Sequence, residues 1–137
     1  MRKQIIIIFL VYLSIIMTGC NLRQDKGDDM KKIDNEIINT ILLSKKIVIE
    51  DARTGVIKSE ILDVEEINVI LDIMSNGYKV QETVTSEASD WYLLLYNSDN
   101  KLISKVWIWE SGYFGFENDK EYSIFENIET LKNIINK

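Results

Sequence analysis

The chain has 137 residues, no histidine, no proline, a single cysteine and a formal net charge of −6 at pH 7. The absence of histidine excludes His-based catalytic triads, His-ligated zinc and histidine pH switches. A single cysteine excludes a disulfide within the chain and a cysteine-ligated metal. The excess of acid disfavours nucleic-acid binding, because phosphate contacts need clustered Lys and Arg.

The amino-terminal region has the layout of a secretory signal peptide. Arg2 and Lys3 give it a positive start, and residues 5–17 form an uncharged apolar run. This order of a basic start and an apolar run is typical of such signals. The run is shorter than the roughly 20 residues that span a bilayer as a helix, so we expect a cleaved signal.

The apolar run ends in MTGC, residues 17–20. This resembles the lipobox of bacterial lipoproteins, with Met17 in place of the usual Leu. The resemblance implies that Cys20 receives a diacylglycerol, with acyl chains such as palmitate, and that a signal peptidase cuts before it. Two acyl chains give stable attachment, at about 0.8 kcal/mol per buried methylene. The protein is then expected on the extracytoplasmic face of the cell membrane, held there by Cys20.

Removing the signal peptide, residues 1–19, leaves 118 residues with 14 basic and 22 acidic side chains, a net charge of −8. That length suits one domain. Residues 20–34 hold the lipidated cysteine and a polar stretch with few apolar side chains, which predicts a flexible tether. Residues 35–137 are predicted to form a single small domain, in which residues 35–43 fit either a short helix or a strand.

The first half of this domain is predicted to be a strand pair followed by a helix. Residues 46–62 give two short strands around a turn at residues 52–55. Asp63, with Glu66 three residues later, fits a helix start, and residues 76–77, Asn-Gly, fit its end. One helical face carries the apolar residues Val64, Ile67, Ile70, Leu71 and Met74.

The second half is predicted to be mostly strands. Residues 81–90 are polar and predict a loop, and residues 91–97 and 101–110 predict a hairpin. Residues 111–126 supply one or two further short strands, and a last helix carries an apolar stripe. The stripe consists of Ile128, Leu131 and Ile135. The predicted fold is α+β, an antiparallel sheet of four to six strands with one or two helices packed on it.

Residues 45–137 resemble small Bacillus-type lipoproteins of the YhfM-like kind, which share a lipobox, a strand pair, an EEI helix and a hairpin ending in tryptophan. The matching residues here are Glu65, Glu66 and Ile67, then residues 92–96, 101–103 and 107–109. The resemblance implies an extracytoplasmic domain and transfers no catalytic residue to this chain.

An aromatic cluster is the most visible candidate site. Its members are Trp107, Trp109, Tyr113, Phe114 and Phe116. If Val106 and Ile108 face the helices, the two tryptophans share the opposite face. Exposed Trp and Tyr side chains are common anchors of interfaces. Trp107, Trp109 and Tyr113 are therefore the candidate contact residues, and the alternative is that the rings close a small second core.

Other constellations have simpler explanations. Glu117, Asp119 and Glu121 are candidates for calcium binding, but they lack the EF-hand pattern, and a solvated turn is favoured. Residues 98–101 match the S-x-x-K motif of penicillin-binding enzymes, but they fall in a predicted hairpin turn. Lys79 and the acids of the helix that begins at Asp63 are interpreted as the solvent side of that helix. We predict no metal, cofactor or catalytic residue.

The sequence therefore favours a non-enzymatic, membrane-anchored lipoprotein that acts through protein or envelope contacts. One specific form is an inhibitory or immunity-type module, and the acidic surface suits a basic protein partner. The alternative is a small ligand-binding module for a cell-wall glycan or peptide. An enzyme is disfavoured because the chain has no histidine, no catalytic motif and a small size.

Overall fold

The computed structural model describes residues 31–80 and 88–137. The predicted signal peptide, Cys20, most of the tether and residues 81–87 of the predicted loop lie outside this part of the chain. Three helices and seven strands lie within it. In chain order they are α1 (Asn35–Ile41), β1 (Lys46–Asp51), β2 (Ile57–Ile61), α2 (Val64–Ser75), β3 (Tyr78–Val80), β4 (Trp91–Tyr96), β5 (Leu102–Ile108), β6 (Tyr113–Phe116), β7 (Tyr122–Ile124) and α3 (Ile128–Ile135).

The strands form one open antiparallel sheet in the order β2-β1-β4-β5-β6-β7-β3. The predicted α+β class is confirmed, but the predicted counts of strands and helices are too low. Strand β3 was missed because three residues following a helix end are too few to show alternation. The segment that forms α1 has a pattern that fits either a helix or a strand. It is a helix, and Ile41 at its end is fully buried in the core.

The core lies between one face of the sheet, here called the inner face, and the three helices. Alternation along the strands places every second side chain on this face. The buried inner-face residues include Ile47, Ile49, Leu93, Leu95, Val106, Ile108, Phe114 and Phe116. They join helix residues such as Ile41, Ile70 and Leu131 in one cluster. The opposite side of the sheet is called the outer face.

The predicted ends of α2, the longest helix, are correct. The Asp63 carboxylate accepts a hydrogen bond from the Glu66 backbone N–H at 2.9 Å and begins α2. Four of the five predicted apolar side chains are buried, whereas Val64 is 62 % exposed because α2 meets the core only from Ile67 onward. The predicted stripe of α3 also packs inward, with Leu131 and Ile135 buried.

Glycine is required where α2 ends. A Cβ at Gly77 would lie 2.6 Å from Cζ of Phe114. No larger residue allows the chain to pass so close to this core ring. The predicted hairpin joins β4 to β5, and its Asn97 side chain accepts hydrogen bonds from the backbone N–H groups of Asp99 and Lys101, both at 3.0 Å. The S-x-x-K residues therefore lie in a hairpin turn and not at a helix start.

The residues just before α1 pack on the β3 edge of the sheet. Lys32 forms a bridge with Tyr78, the Lys79 backbone N–H donates to the Lys31 carbonyl at 2.7 Å, and Ile33 is 2 % exposed. Residues 31–34, which the sequence assigns to the tether, thus belong to the packed domain. Within the described ranges, no helix has the length and apolarity to cross a bilayer.

Candidate functional site

The outer face carries a row of aromatic side chains across four strands. Tyr92 on β4 lies opposite Trp107 on β5, which lies opposite Gly115 on β6, which lies opposite Tyr122 on β7. Residues directly opposite one another in antiparallel strands point to the same side of the sheet. Because Val106 and Ile108 are buried among the helices, these residues must face away from them.

A second row runs beside the first. The Trp109 backbone N–H donates to the Tyr113 carbonyl at 2.9 Å, Tyr113 lies opposite Ile124, and Ile124 lies opposite Tyr78. We call the two rows together the aromatic surface; its members are Tyr78, Tyr92, Trp107, Trp109, Tyr113, Gly115, Tyr122 and Ile124. The structure thus brings the three candidate contact residues together on one face, opposite the face that the helices cover.

The three candidates differ in accessibility. Trp107 and Tyr113 are half-buried, whereas Trp109 is 8 % exposed. The Trp109 ring meets the Tyr122 ring edge to face, with centroids 5.4 Å apart. Trp109 therefore contributes mainly to the packing of this face, and little of its side chain is accessible to a partner. Phe114 and Phe116, which the sequence groups with these rings, are 0 % and 4 % exposed and belong to the core.

Gly115 allows two rings to close over the middle of the surface. A Cβ at this position would lie 3.0 Å from Cδ1 of Tyr122 and 3.6 Å from Cε3 of Trp107. Aromatic side chains that cover a strand glycine in this way pack against its backbone. The rings are therefore preorganised, and little side-chain entropy remains to be lost on contact.

Two lysines add positive charge to the outer face. Lys105 Nζ lies 3.8 Å from the ring centroid of Tyr92, and Lys46 Nζ lies 4.5 Å from that of Tyr96. A cation over the face of a tyrosine ring is attracted by its negative potential. The surface therefore combines aromatic area with cations, although the chain as a whole is acidic.

A charged cluster that the sequence did not reveal lies at the β3 edge of the sheet. The Lys79 side chain is 4 % exposed, and its Nζ contacts Asp34 Oδ2 at 2.7 Å, Glu121 Oε2 at 2.9 Å and Asp119 Oδ2 at 3.0 Å. We call these four residues the Lys79 network. The interpretation of Lys79 as a solvent-side residue of α2 is wrong, because β3 turns its side chain inward.

The network also revises the interpretation of the acids near residue 119. Glu117 is exposed, as a solvated turn predicts, but the Asp119 side chain is only 13 % exposed and neutralises a buried lysine. Lys79 lies 45 residues from Asp34 in the chain. The sequence therefore carries no local signal of their contact. In the ranges that the structure describes, no group of three or more Asp, Glu, Cys or His side chains is arranged to hold a metal ion.

The network stays charged at neutral pH. Burial by itself would lower the pKa of Lys79, but hydrogen bonds to Asp34, Glu121 and Asp119 outweigh this and raise it above the ordinary lysine value. The hydrogen bond from Lys79, together with its charge, lowers the pKa of Asp34. The four side chains together carry a net charge of −2, and Lys31 offsets part of it, because its Nζ lies 3.7 Å from Glu121 Oε2.

A cavity of about 400 Å³ opens beside this network, between α1 and the inner face of β5 and β6. Its lining residues are Asp34, Glu36, Ile37, Thr40, Ile41, Ile103, Ser104, Phe116, Asn118 and Asp119. The cavity and the aromatic surface lie on opposite faces of the sheet.

Comparison with known proteins gives no match: no family model, no curated protein and no solved structure is significantly similar to this chain. The lipobox and the resemblance to small lipoproteins therefore stay predictions from the sequence. The site itself must carry any functional conclusion.

Proposed function

We propose that the chain is a lipoprotein anchored through Cys20 on the extracytoplasmic face of the cell membrane and that it acts as a non-enzymatic protein-interaction module. The observation that supports this most is the aromatic surface on the sheet face opposite the helices. There Trp107 and Tyr113 remain partly accessible while Trp109 packs beneath Tyr122.

The chemistry of these rings suits contact with another protein. Trp and Tyr combine a large apolar area with a polar group, and they are enriched among the residues that dominate binding energy. Gly115 and Trp109 hold neighbouring rings in fixed positions. Fixed rings lose less entropy on binding than mobile side chains do.

The net charge of the whole chain supports a basic partner by long-range attraction, although Lys105 and Lys46 lie beside the aromatic surface itself. The predicted mature form carries −8, and an acidic protein attracts a basic one over a distance of about a Debye length. An inhibitory or immunity-type module that binds a basic extracellular enzyme or toxin fits this charge. Low salt should strengthen such binding chiefly through faster association.

Crosslinking in intact native cells tests the proposal. The chain, tagged at its carboxyl terminus, is crosslinked and purified beside Cys20→Ala. We expect one protein partner with the anchored chain, lost when Tyr113→Ala and Trp107→Gln are combined. Val69→Ala is the matched control, because Val69 is an exposed apolar residue on α2, in the helical layer. Equal recovery of the partner by the unchanged chain, the double variant and Val69→Ala would refute the role of the aromatic surface.

The alternative, a small module that binds a cell-wall glycan or peptide, uses the same rings, since sugars also stack on aromatic faces. Titration with wall fragments separates the two. Quenching of tryptophan fluorescence that is insensitive to salt and lost in Trp107→Gln would favour the glycan. Binding of a partner that weakens as the salt concentration rises favours the charged protein partner.

A further inference from the structure

The cavity beside α1 is large enough for a ligand. Its volume of about 400 Å³ greatly exceeds the roughly 30 Å³ share of one water molecule. It lies at the lower end of the range for small-molecule pockets, which is roughly 300–1,000 Å³. Ile41 and Phe116 are buried in the core at its base, whereas Ile37 and Ile103 are only partly buried. The apolar wall of the cavity is therefore open to an aliphatic group.

The polar side of the cavity is acidic. Three of its ten lining residues are acids, namely Asp34, Glu36 and Asp119, and none is a lysine or arginine. Lys79 offsets only one of these negative charges, and its ammonium group also pairs with Glu121. No described residue forms an ion pair with Glu36. An apolar wall beside an excess of carboxylates favours a ligand with one aliphatic part and one cationic end.

Asp119 adds a carboxylate to the wall of the cavity, and both of its oxygens already contact groups of the protein. Its Oδ2 is buried and lies 3.0 Å from Lys79 Nζ, and its Oδ1 accepts a hydrogen bond from the Glu121 backbone N–H at 3.1 Å. Asp119 therefore contributes negative charge to the cavity, whereas Asp34 and Glu36 are the exposed carboxylates of its lining.

We propose that this cavity binds a ligand with a primary ammonium group on a short aliphatic chain, such as a lysine side chain. The ammonium group contacts Asp34 and Glu36 and is attracted by the charge of Asp119, and the methylenes lie against Ile37 and Ile103. This site is separate from the aromatic surface, because it lies on the other face of the sheet. The proposal therefore stands or falls independently of the function proposed above.

Methyl NMR of the full chain in non-ionic detergent, labelled at isoleucine δ1 carbons, gives a direct test. The probes are n-butylammonium chloride and, as a neutral match, n-butanol, both at constant ionic strength. We expect the amine to shift the Ile37 and Ile103 signals with a midpoint of about 1 mM. Butanol should give a much smaller shift at equal concentration. Ile57, exposed on β2, is the internal reference and should not move.

A pair of glutamates provides matched variants. Glu36 and Glu65 are both exposed and both occupy the second position of a helix, but only Glu36 lines the cavity. We expect Glu36→Gln to weaken amine binding about two- to fivefold, the size of a solvent-exposed ion pair. Glu65→Gln should leave the midpoint unchanged. Neither variant alters the Lys79 network, so both should fold.

Comparison of 1,5-diaminopentane with Nα-acetyl-lysine-N-methylamide identifies the source of the ammonium group. Equal or tighter binding of the lysine derivative supports a lysine of a protein or peptide, and binding of the diamine alone supports a free polyamine. Equal shifts with butanol and butylammonium, no shift of Ile37 and Ile103, or an unchanged midpoint in Glu36→Gln would each overturn the proposal.

Discussion

The aromatic surface and the Lys79 network are held together by different forces. In the aromatic surface, neighbouring strands set the register of the rings, and the Trp109 ring packs against the Tyr122 ring. In the Lys79 network, one buried ammonium group joins carboxylates from the segment before α1 and from the β6–β7 region. A ring can be lost while the strands still pair, whereas loss of the ammonium group leaves three carboxylates without their common partner.

This difference separates the proposed site of function from a site of stability. The aromatic surface is accessible, so changes there should affect binding before they affect folding. The Lys79 network is largely enclosed and joins distant segments of the chain, so changes there should affect folding first. The predictions below test this separation, from the largest expected effect to the smallest.

Lys79→Met should be the most damaging single change. It removes the only ammonium group that contacts Asp34 and Asp119 among the described residues. Breaking a buried ion pair typically costs about 3–5 kcal/mol, and we expect about 2–4 kcal/mol because Asp34 is half exposed. Urea unfolding measures the loss. Lys132→Met is the control, since the one described ion-pair partner of Lys132 is the exposed Glu129 at 3.1 Å. Similar losses in both variants would refute the special role of Lys79.

Stability should depend on pH only at the two extremes. The raised pKa of Lys79 means that its contribution is complete below the ordinary lysine pKa of about 10.4 and is lost as pH rises through the raised value. The lowered pKa of Asp34 means that its contribution is complete above the ordinary value of 3.8 and is lost as pH falls through the lowered value.

The melting temperature should therefore change little from about pH 5 to 9 and should fall only below about pH 4 and above about pH 10. The chain has no histidine that would titrate near neutrality. Lys79→Met should flatten the alkaline fall. A strong pH dependence between 5 and 9, or an unchanged alkaline fall in the variant, would contradict this account of the network.

Gly115→Ala tests the packing of the aromatic surface. The new Cβ would lie 3.0 Å from Cδ1 of Tyr122, so the ring must move. We expect a cost of about 1–2 kcal/mol in unfolding free energy and a changed tryptophan emission from the displaced Trp107. In a Tyr122→Ala background the cost of Gly115→Ala should largely disappear. An equal cost in both backgrounds would mean that the rings do not meet over Gly115.

Lys105→Met should have the smallest effect. Lys105 Nζ lies 3.8 Å from the Tyr92 ring centroid, and a cation–π contact of this kind contributes about 0.5–1 kcal/mol. Urea unfolding beside Lys101→Met, an exposed loop residue, measures it. A loss above about 2 kcal/mol would show that the outer face contributes to folding as much as the Lys79 network does.

The sequence predicts those parts of the molecule that depend on local patterns. The cap at Asp63 and the hairpin at residues 97–101 follow from spacing alone. Alternation places Val106 and Ile108 on one face, and the structure shows that this is the inner face. The shared face of Trp107 and Trp109 follows from the same alternation. Their unequal burial does not, because it depends on Tyr122 from another strand.

Long-range contacts explain what the sequence could not predict. Strand β3 is recognised only through its pairing with β7, and the sequence around Lys79 has the pattern of a surface lysine, although that pairing turns its side chain inward. The cavity also depends on how α1 lies across β5 and β6, which no pattern within α1 encodes. In all three cases the decisive partner is far away in the chain.

Site-specific photocrosslinking tests the central claim, that the aromatic surface is the face that contacts a partner. A benzophenone amino acid replaces Tyr113 on the outer face or Val69 on α2, and the lipidated protein is irradiated in intact native cells. We expect a discrete adduct from position 113 that weakens at high salt, and none from position 69. An adduct from position 69 alone, or from neither position, would contradict the claim.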